Sequence, residues 1–252
     1  ETTAGVTAGS CLATGLGNLG DPAILTLIGG GATMLERDTA NANGGSLSIG
    51  GIGSQTNGTW SFTGSGTTSF LYFHFGNGNG AGYFTGNISG ANLHLIKSGT
   101  ATLSLASSAS DFGTLTILGG TVAFALPAGT VAINAGSASP LGTGVAAANL
   151  VFNGGALQYT GSNSTIFSGT QSPSFSTDRQ FTLAGAATIQ SSGQYGNSVL
   201  GSGNQNNATV IFANTADVTF SGAGTRSFSL GGNSLGDNEF RIRLRNNPNA
   251  NE

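Results

Sequence analysis

Charged side chains are scarce in this 252-residue sequence, at 7% of all residues, against about a quarter in an average globular protein. Between Asp38 and Asp178 the only charged residues are Lys97 and Asp111. The formal net charge of −3 gives no positive field that would attract a phosphate backbone, so we expect no nucleic-acid partner. The polar surface must consist of Ser, Thr, Asn and backbone, and glycine is abundant, with 44 residues.

Cysteine and long apolar runs are equally scarce. Cys11 is the single cysteine, which excludes a disulfide within the chain and leaves two interpretations, a small buried residue or a link to another chain. No apolar run approaches the roughly 20 residues that a membrane-spanning helix needs, so we expect no membrane-spanning segment. The sequence Glu1-Thr-Thr-Ala4 lacks the basic start and apolar stretch of a signal peptide, and we expect a mature chain or a piece of a longer one.

Apolar residues recur in pairs separated by one residue, the pattern of short strands that bury one face. Gly, Asn and Ser fill the intervals, as turns require, and no sustained apolar pattern has helical spacing. The pairs are Leu25/Leu27, Leu47/Ile49, Trp60/Phe62, Leu93/Leu95, Leu103/Leu105, Leu115/Ile117, Val122/Phe124, Val131/Ile133, Leu150/Phe152, Leu157/Tyr159, Phe181/Leu183, Val210/Phe212, Val218/Phe220 and Phe228/Leu230. The sequence therefore predicts an all-β fold.

The spacing of these pairs favours a right-handed parallel β-helix (a β-solenoid), with lateral loops as an option, over an antiparallel sandwich. A sandwich shows similar strand spacing, but it normally carries charges on its outer faces and Asn-Gly or Asp-Gly turns at its hairpins. Here the linkers are irregular Gly/Ser/Thr/Asn strings, and most strands provide a single inward pair. Such short strands suit a coil whose few inward side chains stack on those of the next coil, about 4.8 Å away.

A long internal repeat supports the solenoid. Residues 62–70 (Phe-Thr-Gly-Ser-Gly-Thr-Thr-Ser-Phe) match residues 220–228 (Phe-Ser-Gly-Ala-Gly-Thr-Arg-Ser-Phe) at six of nine positions. Shorter matches upstream and downstream have nearly the same offset, about 156 residues. We therefore expect one continuous solenoid over residues 1–252, in which 1–96 are the latter part of one repeat and 97–252 are one full repeat.

One segment resembles a known family of repeats. Leu95-Ile-Lys97-Ser-Gly-Thr-Ala-Thr-Leu103-Ser-Leu105, followed by Leu115-Thr-Ile-Leu-Gly-Gly-Thr-Val122, is similar to the autotransporter-associated β-strand repeat, with its pattern L-x-K-x-G-x-G-T-L-x-L and a following T-x-I-x-x-G-T-L. The sequence departs from the family at Ala101 and Ala106, which stand where the pattern has glycine.

The resemblance continues in the segments 140–157 and 225–240, so that it covers about half of the chain. It implies a right-handed parallel β-helix in a large secreted or surface-anchored bacterial protein. It implies no chemistry, because this repeat is a folding unit that also occurs beside catalytic modules.

The sequence offers no catalytic residue, cofactor site or metal site. Enzymes of β-helix fold that act on polysaccharides need converging carboxylates with a basic group, whereas the closest acidic clusters are Glu36/Asp38 and Asp237/Glu239. His74 and His94 each lie between apolar residues, so alternation places them on the outer strand face. The turns that end at Asp21 and Asp237 resemble calcium-binding nonapeptides, but each Asp is alone there, which favours ordinary turns.

Two further features have a structural and a binding interpretation. The aromatic run Phe70-Leu-Tyr-Phe-His-Phe75 favours core packing, with a binding or assembly patch as the alternative. Arg241, Arg243 and Arg245 alternate along a strand and so share one face, which we interpret as a solvated face that blunts a sheet edge, with a lateral partner as the alternative.

The sequence predicts a non-enzymatic structural repeat in a bacterial extracellular or cell-surface protein, either a fibre stalk or a rigid spacer. The first alternative is an adhesin or glycan-binding passenger that uses surface Ser, Thr, Asn and aromatic groups, and the second, less favoured, is a polysaccharide-active enzyme. Partners are expected to be flanking repeats or other copies joined end to end, and glycans or a host surface for the adhesin.

Overall fold

The computed structural model describes residues 93–162, 171–194 and 208–246 with their side chains. Between residues 3 and 89 it describes ten strands by their backbone, together with the side chain of Ile88. The sequence predictions for the side chains of Cys11, Asp21, Asp38 and His74 lie outside the described residues.

Short strands make up most of this structure. The first ten are β1 (Thr3–Thr7), β2 (Cys11–Ala13), β3 (Ile24–Ile28), β4 (Thr33–Glu36), β5 (Gly45–Ile49), β6 (Gly51–Ile52), β7 (Thr59–Thr63), β8 (Leu71–Phe75), β9 (Gly82–Phe84) and β10 (Asn87–Ser89). The next eight are β11 (Leu93–Lys97), β12 (Thr102–Leu105), β13 (Thr114–Ile117), β14 (Thr121–Phe124), β15 (Leu126–Pro127), β16 (Leu150–Phe152), β17 (Gly155–Tyr159) and β18 (Gln171–Ser172). The last seven are β19 (Phe175–Thr177), β20 (Thr182–Leu183), β21 (Ala187–Ser191), β22 (Val210–Phe212), β23 (Thr219–Phe220), β24 (Phe228–Gly231) and β25 (Glu239–Phe240). Within the described residues the helical content is one 3₁₀ turn, Ala147–Asn149.

The strands form stacked parallel sheets, so the all-β prediction is confirmed. The first sheet has the order β5-β8-β11-β13-β16-β20-β23, the second β9-β12-β14-β17-β21-β24, and the third β19-β22-β25. Two smaller parallel sheets, β1-β3-β6 and β2-β4-β7-β10, lie earlier in the chain. The antiparallel-sandwich alternative is wrong for the described strands, because β15–β18 is the one antiparallel pair among them.

The chain visits these sheets in turn. Each strand is short, and the glycine-rich corner that follows it directs the chain into the next sheet. From β11 onward a strand of the first sheet is followed by one of the second, and after β17 and β21 the chain passes through the third sheet before it returns to the first. Leu95 therefore pairs with Leu115, and Leu115 with Leu150. In the second sheet the ladder runs through Leu103, Val122, Leu157, Ile189 and Leu230.

These ladders form the core, which confirms most of the inward pairs. Both members are buried in the pairs that begin at Leu93, Leu103, Leu115, Val122, Leu150, Leu157, Phe181 and Val210. Each fully buried aliphatic or aromatic side chain contributes about 1.5–3 kcal/mol. Short strands therefore fold stably only as a stack, since one coil alone leaves its inward face exposed.

Two residues predicted to point inward are exposed instead. Val131 is 65% exposed, because it lies outside the ladder strands, beside the isolated bridge between Ala132 and Ser176. Leu230 is 57% exposed, because β24 is the last strand of the second sheet and no described strand stacks on its far side.

One long connection leaves the stack. Residues 128–146, here called the lateral loop, lie between β15 and the 3₁₀ turn. Ile133, Ser139 and Leu141 are buried within it, whereas Val145 is 70% exposed. The loop is therefore anchored at several inward positions and solvent-exposed between them.

The domain prediction stays a prediction. Strands from both sides of residue 96 share sheets, since β8 and β13 lie in the first sheet and β9 and β12 pair in the second. In the earlier strands, Phe62 of β7 pairs with Leu35 of β4, and later in the chain Phe220 of β23 pairs with Leu183 of β20.

Candidate functional site

Two of the described carboxylates, Asp217 and Glu239, lie in surface ion pairs. Glu239 and Arg241 form a bidentate pair, with Oε1 2.6 Å from Nε and Oε2 2.7 Å from Nη2. This hydrogen bonding lowers the pKa of Glu239 and raises the pKa of Arg241. In the described part of the chain no group of three or more His, Cys, Asp or Glu side chains could hold a metal ion. That the chain has no catalytic or metal site stays a prediction.

The three alternating arginines form a solvated face, as interpreted from the sequence. The Nε atoms of Arg243 and Arg245 lie 2.8 and 2.9 Å from Oδ1 of Asp217. The arginine side chains are 50–61% exposed, whereas Ile242 between them is 4% exposed. Such exposed ion pairs contribute little to stability, and that this face blunts a sheet edge stays a prediction.

His94 lies on the outer face of β11, as alternation predicts. Its neighbours Leu93 and Leu95 are buried, and the imidazole is half-buried. Burial lowers its pKa, because a partly desolvated site disfavours the imidazolium. A neutral imidazole on the outer face of a ladder strand suits packing against its neighbours, so we interpret it as a structural residue.

Lys97 is buried at the end of β11, on the same inward face as Leu93 and Leu95. Its Nζ donates hydrogen bonds to the carbonyl oxygens of Ser98, Gly99 and Gly119, at 3.3 Å for the latter two. Burial lowers its pKa to about 8, since the ammonium loses solvation that three neutral acceptors replace only in part. The ammonium thus joins the corner of one coil to the corner of the next. We call this group of carbonyls the lysine cage.

Glycines make the lysine cage possible. Gly99 and Gly120 both have positive φ, 67° and 62°, a conformation that favours glycine. A Cβ on Gly120 would lie 2.4 Å from the oxygen of Ala101 and 2.6 Å from that of Gly99. The Lys-x-Gly and Gly-Gly elements of the sequence therefore form one structural site, in which the first element lies on one coil and the second on the next.

Arg179 is the second buried basic residue, at 4% exposed. Its Nη1 donates to the oxygen of Gly144 at 2.9 Å, and Nη2 donates to the oxygen of Gly142 at 2.6 Å. Nη2 also lies within hydrogen-bond distance of the oxygens of Asn134 and Ser137 and of the Ser139 hydroxyl. One guanidinium therefore fixes the lateral loop along residues 134–144.

The electrostatics of Arg179 agree with this anchoring role. Burial lowers its pKa and the neighbouring Asp178 raises it. Oδ1 of Asp178 accepts a hydrogen bond from the amide of Ala135, at 2.7 Å. The adjacent pair Asp178 and Arg179 therefore holds the loop from its exposed and its buried sides.

The far end of the stack has an open cavity of about 390 Å³. Its apolar walls come from core residues of the last two coils, among them Ile189, Val210 and Phe212. Leu230 and Phe240 complete the apolar lining, and polar groups at the rim are Ser191, Ser234, Asn238 and Glu239. The cavity is thus lined mainly by core residues at the end of the stack, and titratable side chains do not cluster in it.

A column of aromatic rings leads to this cavity. Tyr159 and Phe175 have ring centroids 4.5 Å apart, and Phe175 and Phe212 are 6.2 Å apart. Phe212 contacts Phe240 at 5.8 Å, and Phe240 contacts Phe228 at 5.2 Å. Edge-on and tilted contacts of this kind add about 0.5–1.5 kcal/mol per pair. The column ends on the two partly exposed rings, Phe228 and Phe240.

Sequence reasoning misses both buried basic groups. It identifies Lys97 as a motif residue only, although the alternation Leu93, Leu95, Lys97 places it inward. It does not identify Arg179, although Phe175, Thr177 and Arg179 alternate in the same way and all three are buried. No helix in the described residues is long and apolar enough to cross a membrane.

The sequence was compared with known families, curated proteins and solved structures. No protein-family model matches the chain, and no solved structure matches it significantly. A curated protein, the adhesin BmaC autotransporter of Brucella suis biovar 1 (strain 1330), is 33% identical over 228 residues, which are 89% of this chain. The chain spans only 5% of the length of that relative. The chain is thus similar to a short segment of a much longer autotransporter adhesin.

Proposed function

We propose that the chain is a segment of the surface-exposed passenger of a bacterial autotransporter, and that it has an adhesin-like role. The similarity to an autotransporter adhesin over 89% of the chain carries this proposal. Its location is then the cell surface or the extracellular space. The Ser-, Thr- and Asn-rich surface suits hydrogen bonding to glycans or to a host surface, for which few fixed charges are needed.

We further propose that the segment folds as a right-handed parallel β-solenoid built from autotransporter-associated β-strand repeats. The parallel register of three stacked sheets supports the solenoid. Parallel crossover connections are right-handed in about 98% of cases, which supports the handedness. The lysine cage supports the repeat type, because it gives a physical reason for the motif's lysine and glycines.

Within this proposal the solenoid is a rigid support and the lateral loop carries the contact with the partner. Val131 and Val145 are 65% and 70% exposed, and Arg179 holds the loop between them to the stack. Binding residues commonly lie on loops that a rigid scaffold positions. The second candidate function, a spacer without a partner of its own, is favoured by the uninterrupted stacking of the sheets. The segment is non-enzymatic in both.

A binding assay on coated beads tests the adhesin-like role. Beads that carry the chain should bind epithelial cells or a glycan array saturably, and beads that carry the heat-denatured chain should not. The double variant Val131→Ser/Val145→Ser should bind at least fivefold less. Leu118→Ser, at a residue 40% exposed outside the lateral loop, is the matched control and should bind like the wild type. If the folded chain shows no saturable binding, the adhesin-like role is refuted and the spacer function is the one that stays.

A further inference from the structure

The third sheet begins in the middle of the described stack, at a short segment of the lateral loop. Ala132 forms a parallel bridge with Ser176 of β19, so residues 131–133 lie before β19 in the order of that sheet. Strands β11 to β14 precede this segment in the chain, and β16 to β25 follow it. The outer side of the segment, here called the Ala132 edge, therefore arises from the path of the chain within the stack.

The preceding coil has no strand that could pair with the Ala132 edge. Between β12 and β13 the chain runs through residues 106–113, and none of these described residues forms a strand. Their backbone supports another part of the lateral loop, since the oxygens of Ser110 and Phe112 accept hydrogen bonds from the amides of Ser139 and Thr143, at 2.9 and 3.0 Å. The outer side of Ala132 is thus left uncovered, and this residue is exposed.

Register identifies the backbone groups on this edge. On the inner side, the amide of Ser176 donates to the oxygen of Val131 at 2.9 Å, and the amide of Ile133 donates to the oxygen of Ser176 at 3.0 Å. In a parallel ladder the backbone groups of successive residues point to opposite sides. The N–H and C=O groups of Ala132 therefore point away from β19, and neither has a hydrogen-bond partner in the described part of the chain. Unpaired groups of this kind recruit another strand.

An apolar side chain accompanies this donor and acceptor. Alternation places Val131 on the same strand face as Ile133, but Val131 is 65% exposed whereas Ile133 is 2% exposed. An apolar side chain of an added strand would cover the valine, which is favourable. The lateral loop contains no charged residue, so a charged segment would lose solvation there without an ion pair within the loop.

These features select an extended peptide as the occupant. Val131 and Ile133 provide a C=O and an N–H, two residues apart, to the single residue Ser176 on the inner side. An added strand would provide the same two groups to Ala132 on the outer side. A glycan offers hydroxyl groups without this fixed spacing, and so it matches the edge less well.

We propose that the Ala132 edge accepts an extended, uncharged peptide segment of a partner protein as an added β-strand. Recognition by strand addition takes its affinity from main-chain hydrogen bonds and its specificity from the alternate side chains of the peptide. Here one of those side chains would be apolar and would cover Val131. The proposal rests on the lateral loop as the contact site of the adhesin-like role given under "Proposed function".

Binding of a synthetic strand tests the proposal without the natural partner. The probe is a fluorescent hexapeptide with blocked ends, Ser-Val-Thr-Ile-Ser-Val, which is uncharged and alternates polar and apolar residues. Its fluorescence anisotropy should rise saturably with the concentration of the wild type. The same peptide with N-methylated amides should bind at least tenfold more weakly, because it cannot donate main-chain hydrogen bonds.

A proline variant removes the donor of the edge. Ala132→Pro lacks the outward N–H but keeps both hydrogen bonds to Ser176, because those use the backbone of Val131 and Ile133. It should bind the hexapeptide at least tenfold more weakly than the wild type. Ala132→Ser keeps the N–H and is the matched control, which should bind like the wild type. Unchanged amide exchange in β19 and β22 establishes that the proline variant is folded.

Hydrogen exchange locates the peptide without a variant. At saturating hexapeptide the amide of Ala132 should exchange at least tenfold more slowly, while the amides of the exposed turn 221–225 should not change. A folded wild type that does not bind the hexapeptide would overturn the proposal, and so would binding that leaves the exchange of Ala132 unchanged.

The bead assay is scored separately. Beads whose binding to cells is inhibited by free glycans and not by excess hexapeptide would overturn the strand proposal and leave the adhesin-like role. A chain that binds the hexapeptide at Ala132 but binds no cell or glycan would refute the adhesin-like role alone. The two proposals therefore fail separately.

Discussion

A Cβ atom on Gly120 would lie 2.7 Å from the Nζ atom of Lys97, so the absence of a side chain at one position makes room for the ammonium of the other. Lys97 reaches this point from β11, and Gly120 follows β13 in the next coil. The relationship is therefore between coils and not within one strand. It gives a physical reason for the lysine in a stretch of the chain that has almost no charge.

Gly120→Ala should lower the free energy of unfolding by about 2–4 kcal/mol, since strain at a positive φ costs about 1–3 kcal/mol and the new methyl group meets backbone oxygens as well. Gly129→Ala is the matched control. Gly129 has a φ of 84°, but no atom lies within 4 Å of the position that a Cβ would take there, so its substitution should show the conformational cost alone. Urea denaturation of the two variants measures the difference. Equal losses in the free energy of unfolding would show that the lysine cage accommodates the methyl group of Gly120→Ala without a clash.

Lys97 should make stability depend on pH in the alkaline range. Its pKa is lowered to about 8 in the folded chain, against about 10.4 for an unperturbed lysine. Between these values the unfolded state binds more protons than the folded state, so the free energy of unfolding should rise as the pH rises from about 8 to 10.5. The rise should be about 1–2 kcal/mol, less than an unscreened shift of this size would give.

Lys97→Met provides the control for that measurement. It removes the titrating amine and keeps a side chain of similar length, while the tyrosines that titrate in the same range are unchanged. Chemical denaturation at several pH values should show the alkaline rise in the wild type and not in Lys97→Met. An identical profile in both would show that the ammonium is solvated as it is in the unfolded chain.

Chemical labelling tests the burial of Lys97 directly, because it is the only lysine of the chain. An amine-acylating reagent should modify Lys97, which is buried, at least tenfold more slowly in the native chain than in denaturant. Mass spectrometry of peptides measures the modified fraction at Lys97 under both conditions. Rapid labelling of Lys97 under native conditions would contradict the lysine cage.

Sequence patterns predict the ladder residues because alternation is local. Leu115 and Ile117 alternate with Thr116 along β13, so they share the inward face of the strand, and both are buried. Val131 and Leu230 depart from the pattern for a nonlocal reason. Burial of an inward residue requires a coil on each side, and neither residue has two among the described strands.

The buried basic groups could not be derived from composition, which places charges at the surface. Lys97 depends on a carbonyl 22 residues away, and Arg179 depends on carbonyls 35 to 45 residues away. Only the stacking of coils brings these acceptors together. Strand alternation in the sequence predicts that both side chains point inward. It does not predict which backbone oxygens accept their hydrogen bonds.

Arg179→Met should release the lateral loop while leaving the stack folded. The substitution keeps an apolar stem but removes the donors to the oxygens of Asn134, Ser137, Gly142 and Gly144, and with them the contacts by which the guanidinium holds the loop. We expect amide exchange in residues 134–144 to accelerate by at least tenfold, with ladder amides of β17 and β21 unchanged. Arg179→Lys should rescue only part of this protection, because an ammonium cannot reproduce the fixed fork of the guanidinium.

Arg226→Met is the matched control for that experiment. Arg226 also donates to backbone oxygens, from Ser221 to Thr225, but these contacts are exposed and lie within its own turn. Its loss should change exchange only in that turn and leave the lateral loop as in the wild type. If Arg179→Met left residues 134–144 as protected as before, the buried positions Ile133, Ser139 and Leu141 would be sufficient to hold the loop.

If the lateral loop contacts the partner, then Arg179→Met should also weaken the binding of coated beads, with Val131 and Val145 still present.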